Sequence, residues 1–288
     1  MRRTVEFGEG RGNGPGSSGD VTSMRDKHRR SGPRGAPRAK QETDEETLIF
    51  GVHAVEAALE NPLRSVRKLY LTDNAERRLH ESLAKRQLTH ERVAPKDLDR
   101  RLGSDTVHQG ALIEAEPLAE PTLEALVEGG AGRPLIVLDQ VTDPHNVGAI
   151  LRSAAVFGAA GLIMTRRHSP PLGGVLAKSA SGALEHVPVA LVQNLARAII
   201  ELKELSCTVI GLDGDAPDTI EALAWPERPA LVLGAEGKGL RELTRQSCDR
   251  LCRVATDGAF ASLNVSNAAA VTLHLAAMRR LGLGVTAN

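Results

Sequence analysis

From residue 47 the apolar positions of the chain fall into short runs and helical repeats that alternate almost without a break. TLIF (47–50) has the length and composition of a strand, and Val52, Val55, Ala58 and Leu59 then recur at the spacing of one helix face. VRKLYLT predicts a second strand, and ERRLHESLAKRQL a charged amphipathic helix. HERVAPKDLDRRLG predicts a strand turning into a short helix, and HQGALIEAEPL a closing strand. A stretch rich in Gly and Pro follows, with one helical segment inside it. Then the pattern changes character. PLIVLDQ, GLIMT, VPVALV, CTVIGLD and ALVLG are continuous apolar runs, as strands of a parallel sheet covered on both faces require. Between them lie helical repeats. In NVGAILRSAAVFGA, Val147, Ile150, Leu151, Ala154 and Ala155 line one side, and Gly158 stands where a helix would end. NLARAIIELKEL and LRELTRQSC are two further helices, RLCRVA is a short strand, and NVSNAAAVTLHLAAMRRLG is a long Ala-rich helix.

This alternation makes the fold class α/β and divides the chain into four parts. Residues 1–46 form a basic tail, 47–118 a smaller α/β domain, 119–134 a linker, and 135–288 a larger domain built on a parallel sheet. The tail lacks periodic apolar positions and is rich in Gly, Ser, Pro and Arg, so it is expected to be disordered. Its first 40 residues carry ten Lys and Arg against four Asp and Glu. That local excess suits either a solvated tail or an arm that attracts phosphates. Over the whole chain 36 basic and 36 acidic residues cancel, so net charge points to no particular partner. No apolar run approaches the ~20 residues of a membrane span, and the N-terminus has no apolar stretch of the secretory kind. Cys207, Cys248 and Cys252 form no metal-binding pattern. A cytoplasmic protein with reduced thiols, no bound metal and no membrane partner is the expectation.

Three polar clusters stand at strand ends, where ligands of open parallel sheets bind. In DPHNVGAILR, Asp143 and Asn146 are able to cap the coming helix. Arg152 interrupts a mostly apolar helix, and its guanidinium suits a phosphate or a developing oxyanion. In LVLGAEGKGL a lone carboxylate, Glu236, sits among glycines that allow close backbone approach. The phosphate-loop pattern GxxxxGK[ST] is absent, and a carboxylate in the turn would repel a pyrophosphate. A ligand with hydroxyls or a cationic centre fits better, as does a carboxylate that orients an arginine. In GAFASLNVSNAAA, Ser262, Asn264, Ser266 and Asn267 crowd one helix start, more hydrogen-bonding groups than capping needs.

Taken together, LDQVTDPHNVGAILRSAAVFGA, LVLGAEGKGLRELTRQSCD and ASLNVSNAAAVTLH resemble the three motifs of the SpoU (TrmH-type) RNA 2′-O-ribose methyltransferases of the SPOUT superfamily. The stretch from IFGVHAVEAAL to VHQGALIEAEPL resembles the substrate-binding domain, similar to a ribosomal protein, of the ribosomal RNA members. The nearest likeness is to the 23S rRNA guanosine 2′-O-methyltransferase subgroup. The resemblance implies a deep trefoil knot in the C-terminal domain, S-adenosyl-L-methionine as cofactor, ribosomal RNA as partner (free or in an assembly intermediate), and a homodimer through the knotted domains. It implies cofactor contacts at Gly234, Val254 and Leu263, and active-site roles for Asn146, Arg152, Glu236, Ser262 and Asn264. Thr256 and Asp257 stand where many relatives carry an Ile-Pro-Met run.

On this reading Arg152 contacts the ribose hydroxyl and its phosphate and lowers the hydroxyl pKa. An arginine whose own pKa exceeds about 12 acts more readily by electrostatics than as a base. Arg64, Arg67, Lys68, Arg77 and Arg78 are candidate phosphate contacts of the smaller domain. Its only aromatics are Phe50 and Tyr70, so base stacking is not its main device. Two other readings stand beside this one. The first is a tRNA ribose or rRNA adenosine 2′-O-methyltransferase; the second is a non-catalytic RNA-binding assembly factor.

Overall fold

The computed structural model describes residues 47–258 and 263–283. The smaller domain runs β1 (Thr47–Phe50), α1 (Val52–Glu60), β2 (Val66–Leu71), α2 (Asp73–Arg78), α3 (His80–Arg86), β3 (Glu91–Arg92), α4 (Pro95–Leu102) and β4 (Ala111–Ala115). Its four-stranded sheet has the order β1-β4-β2-β3; β4 is antiparallel to both β1 and β2, and β3 is parallel to β2. The single helix predicted over ERRLHESLAKRQL is two helices. Thr72 caps the first by accepting the Ala75 N–H, and buried Leu79 breaks the run with φ −99° and ψ 8°. Phe50 and Tyr70 lie with Leu98 and Leu112 in a small core, so neither aromatic offers a face to a nucleobase.

The larger domain runs α5 (Leu123–Gly130), β5 (Leu135–Asp139), α6 (Pro144–Phe157), β6 (Gly161–Thr165), α7 (Gly174–Ala180), a 3₁₀ turn (Ala183–Glu185), β7 (Val189–Val192), α8 (Leu195–Glu204), β8 (Thr208–Leu212), β9 (Asp218–Thr219), β10 (Pro229–Gly234), α9 (Glu242–Ser247), β11 (Arg250–Arg253) and α10 (Val265–Arg280). Its seven strands are all parallel, in the order β7-β6-β5-β10-β8-β11-β9.

Successive side chains of a strand point to opposite faces, and both faces of this sheet are buried. Ile136, Leu138, Leu162, Leu231 and Leu233 join the core that holds Val147 and Ile150 of α6 and Leu273 of α10. Leu135, Val137, Ile163, Ala230 and Val232 join the core that holds Leu126 of α5 and Ile199 and Leu202 of α8. The continuous apolar runs of the sequence therefore follow from two covers rather than one. Helix α5 falls within 119–134 and buries Leu123, Leu126 and Val127 beneath the sheet.

α6 and α7 cross closely at Gly148, where a Cβ would lie 2.5 Å from that of Ser179. The smaller domain packs against this corner, and Ile49, Val55 and Leu59 share one apolar cluster with Leu176, Ala177 and Leu184. A buried ion pair reinforces the joint. Arg64 donates from Nη2 to Glu185 Oε1 at 2.7 Å and from Nε to Oε2 at 3.1 Å, with both side chains 2% exposed. Arg64 Nη1 also reaches the Glu116 carbonyl at 2.9 Å, and Asn61 donates to Glu185 Oε2 at 2.8 Å. Arg64 is thus not a phosphate contact, and that expectation is corrected: its charge is fully engaged in holding two parts of the chain together.

Candidate active site

The C-terminal end of the parallel sheet carries the site. Asp143 caps α6 by accepting the His145 N–H at 2.9 Å, and Pro144 fits the first helical position, where no amide donor is needed. This places Asn146 in the first turn. Asn264 caps α10: its Oδ1 accepts from Ser266 N at 2.9 Å and from Ser266 Oγ at 2.5 Å. The cap leaves the amide nitrogen free to point elsewhere. Asn264 Nδ2 donates to Asn146 Oδ1 at 3.1 Å and also to Glu236 Oε1, while Asn146 Nδ2 donates to the same Oε1 at 3.0 Å. Three residues separated by 90 and 28 positions therefore close a ring around one carboxylate oxygen. Glu236 Oε2 has no hydrogen-bond donor among the described residues. Glu236 and Asn264 are exposed and Asn146 is half-buried, so a ligand can reach the ring.

Glu236 stands on the loop between β10 and α9. The loop closes on itself through Gly239 N–H donating to Ala235 O at 2.9 Å, and Gly237 and Gly239 take positive φ of 73° and 63°. Gly234 permits the closure, since a Cβ there would lie 2.1 Å from the Gly239 carbonyl carbon. Beside the loop opens a cavity of about 590 Å³, lined by Gly234, Val254 and Leu263 together with Leu212, Leu233 and Val265 on its apolar side. Asp213, Asp215, Glu236, Lys238, Arg245 and Arg253 line its polar side, where Arg245 Nε pairs with Asp213 Oδ2 at 3.2 Å. An apolar wall beside bare glycine backbone and side chains of both charges suits a ligand with a flat ring, hydroxyls and both a positive and a negative group. Asp213 and Asp215 carried no motif in the sequence. A pair of acids just past β8, at a sheet end, was the signal available for them.

Arg152 lies elsewhere on α6. Six residues beyond Asn146 turn the helix by roughly 600°, so the two side chains leave it about 120° apart. Arg152 lines a second cavity of about 480 Å³ with His53, Glu56, Ala57, Glu60 and Ser181, between α1 and the end of α7. It forms no hydrogen bond with the Asn146–Glu236–Asn264 ring. Ser262 lies outside the described residues, as do the tail 1–46 and residues 284–288. Arg77 and Arg78 are exposed in the last turn of α2, whereas Arg67 is paired with Glu116 at 3.4 Å and Lys68 with Glu114 at 3.4 Å. Among the described residues, no group of three or more His, Cys, Asp or Glu is placed to hold a metal ion, and no helix is long and apolar enough to cross a membrane.

Comparison with known proteins decides the family. The profile of the SpoU rRNA methylase family matches residues 133–274, and that of the RNA 2′-O ribose methyltransferase substrate-binding domain matches residues 48–121. A relative from Ralstonia nicotianae, named 23S rRNA (guanosine-2′-O-)-methyltransferase RlmB, is 40% identical over 238 residues, which span 81% of this chain and 96% of its own length. The chain belongs to the SpoU family. A second SpoU relative, the protein of the same name from Yersinia pestis, is 40% identical over 233 residues, covering 78% of this chain and 94% of its own. Among solved structures, the SpoU methyltransferase AviRb from Streptomyces viridochromogenes, crystallised with AdoMet, superposes with a TM-score of 0.71. It is 24% identical and covers 85% of this chain and 94% of its own. An AdoMet-bound rRNA methyltransferase from Sinorhizobium meliloti gives 0.69 at 20% identity, covering 84% and 90%. At these identities the two structures speak for the SpoU fold: a parallel-sheet C-terminal domain with a substrate-binding domain before it.

Proposed function

We propose that the protein is an S-adenosyl-L-methionine-dependent 2′-O-methyltransferase acting on the ribose of a guanosine in 23S rRNA. The ring of Asn146, Asn264 and Glu236 beside the glycine-walled cavity is the observation that carries this reading. The relatives at 40% identity, named for that reaction, support the substrate. The cavity fits the cofactor. Leu212, Leu233, Val254, Leu263 and Val265 suit the adenine ring, backbone at Gly234 allows close approach, Asp215 and Glu236 suit ribose hydroxyls and a cationic sulfur, and Lys238 and Arg253 suit the methionine carboxylate. When bound, the cofactor supplies an activated methyl group.

The chain supplies position and charge. Glu236, held through Oε1 by two amides, keeps Oε2 for a hydroxyl or a positive centre. Ser262 is assigned to the same site. Arg152, lining the space between α1 and α7 and apart from the ring in this chain, is assigned to the RNA, where its guanidinium holds a phosphate. Positioning of this kind contributes up to roughly 7–11 kcal/mol at the intramolecular limit. Residues 47–118 and the basic tail hold the RNA, with Arg77 and Arg78 the exposed cations of α2. The same reading includes a knotted path for the C-terminal domain, a homodimer through it, and a cytoplasmic location. Val156 on α6 and Val271 on α10, exposed on two helices that pack together, support the dimer.

The deciding experiment incubates the purified protein with labelled S-adenosylmethionine and hypomodified 23S rRNA, then maps the product by nuclease digestion and mass spectrometry. A single 2′-O-methylguanosine is expected. Transfer to tRNA instead would move the substrate, and absence of cofactor binding would leave an assembly factor.

A further inference from the structure

Asp139 is the last residue of β5, fully buried, and takes no part in the chemistry just described. A buried carboxylate at a sheet end is costly unless its oxygens are engaged. Both are. Asp139 Oδ2 accepts the backbone N–H of Arg241 at 2.9 Å, and Oδ1 accepts Arg241 Nε at 2.6 Å. Arg241 is also the residue at which the β10–α9 loop ends and α9 begins. At the other end of that loop, Gly234 pairs in register with Asp139 across the parallel strands β10 and β5. One side chain and its own backbone therefore hold both ends of the segment that carries Glu236 and walls the 590 Å³ cavity.

We propose that Asp139 is a positioning residue for the cofactor loop, acting through Arg241 to fix residues 234–241 in the shape that binds S-adenosylmethionine; the assignment of that ligand rests on the function proposed above. An apolar residue at 139 would fill the same space but leave the Arg241 amide without its acceptor. Asparagine would keep one acceptor and turn a donor toward the donors of Arg241. Only a carboxylate receives two donors from one arginine while presenting none, and charge-assisted bonds of this kind are about twice as strong as neutral ones. Arg241 is half-exposed, so its removal opens Asp139 to water rather than stranding a charge.

The test compares the full-length chain with Asp139→Asn, Arg241→Ala and Arg241→Lys. It measures amide hydrogen exchange without ligand, S-adenosylmethionine affinity by calorimetry, and transfer kinetics. In Asp139→Asn, exchange over 234–241 should quicken while 135–139 and 161–165 keep their protection. The cofactor Kd should rise about tenfold, with the KM for RNA unchanged. Arg241→Ala should move in the same direction, and Arg241→Lys should recover part of the loss. Unchanged loop exchange and affinity in Asp139→Asn would overturn the proposal, as would exchange that quickens evenly across the sheet. If the wild type bound no S-adenosylmethionine yet the variants loosened the loop, the bracket would stand and the function above would fall.

Discussion

Asn264 performs two tasks with two ends of one amide. Its carbonyl oxygen satisfies the start of α10, while its nitrogen joins the ring on Glu236. Capping and a place in the polar cluster were competing readings of this residue in the sequence, and the structure has the cap and the contact with Glu236 at once. Arg152 was legible as an odd guanidinium in an apolar helix, but its direction was not, because six residues of helix carry it away from Asn146. Replacing Arg152 with Ala should abolish methyl transfer while leaving S-adenosylmethionine affinity nearly unchanged, measured by labelled transfer and by calorimetry. Activity retained in this variant would refute its role.

The cysteines make a contrasting case. Burial, with help from the neighbouring Asp249, pushes the Cys248 thiol up from 9.0 to about 12, and the Cys248 S–H donates to the Thr244 carbonyl at 3.2 Å. The thiolate is the reactive form, so Cys248 should resist iodoacetamide at pH 8.5 in the folded protein and react once it is unfolded, as read by mass spectrometry. A raised folded-state value also means that the protonated thiol supports folding in full below the ordinary thiol pKa. That support is lost as pH climbs from about 9 toward 12.

At the scale of elements, the sheet strands and the long helices were readable because two buried faces leave continuous apolar runs. Gly158, in the left-handed conformation at φ 73°, ends α6 where the sequence placed it. What stayed hidden was short or non-local. The break at Leu79 has no Gly or Pro to announce it; α7 opens after Gly173 with no side-chain cap; and β9 is two residues long. Strand order was equally invisible, since β10 enters between β8 and β5, and its pairing with β5 sets Ala230 opposite Leu135, far earlier in the chain. The β10–α9 loop gives the sharpest prediction here. Gly234→Ala introduces a methyl group where only 2.1 Å is available, so the loop must move while the strand below it need not. Overpacking costs of roughly 1–3 kcal/mol, placed on the loop, should weaken S-adenosylmethionine binding by roughly ten- to hundredfold. Calorimetry checks this, and circular dichroism should find the secondary structure retained.

For the whole molecule, the informative error was Arg64. A cation in a domain expected to meet RNA invites assignment to phosphate, and nothing local in the sequence points to Glu185, 121 residues away. Glu185→Ala would leave Arg64 buried without its counter-charge and should cost about 3–5 kcal/mol in denaturant unfolding, with the two domains separating into distinct transitions. Paired replacement by Arg64→Met and Glu185→Leu should restore most of the loss, because apolar partners of similar volume substitute well for a buried pair.

That joint also sets a distance. With the smaller domain fastened to the α6–α7 corner, the span between its outer surface and Glu236 is a fixed length of protein rather than the reach of a tether. On the function proposed above, an enzyme built this way would work as a gauge, selecting the ribose that lies one set interval from the RNA feature it grips. Lengthening the RNA between grip and target should therefore shift methylation to a different nucleotide instead of merely slowing it, a change that mapping the product at single-nucleotide resolution would reveal.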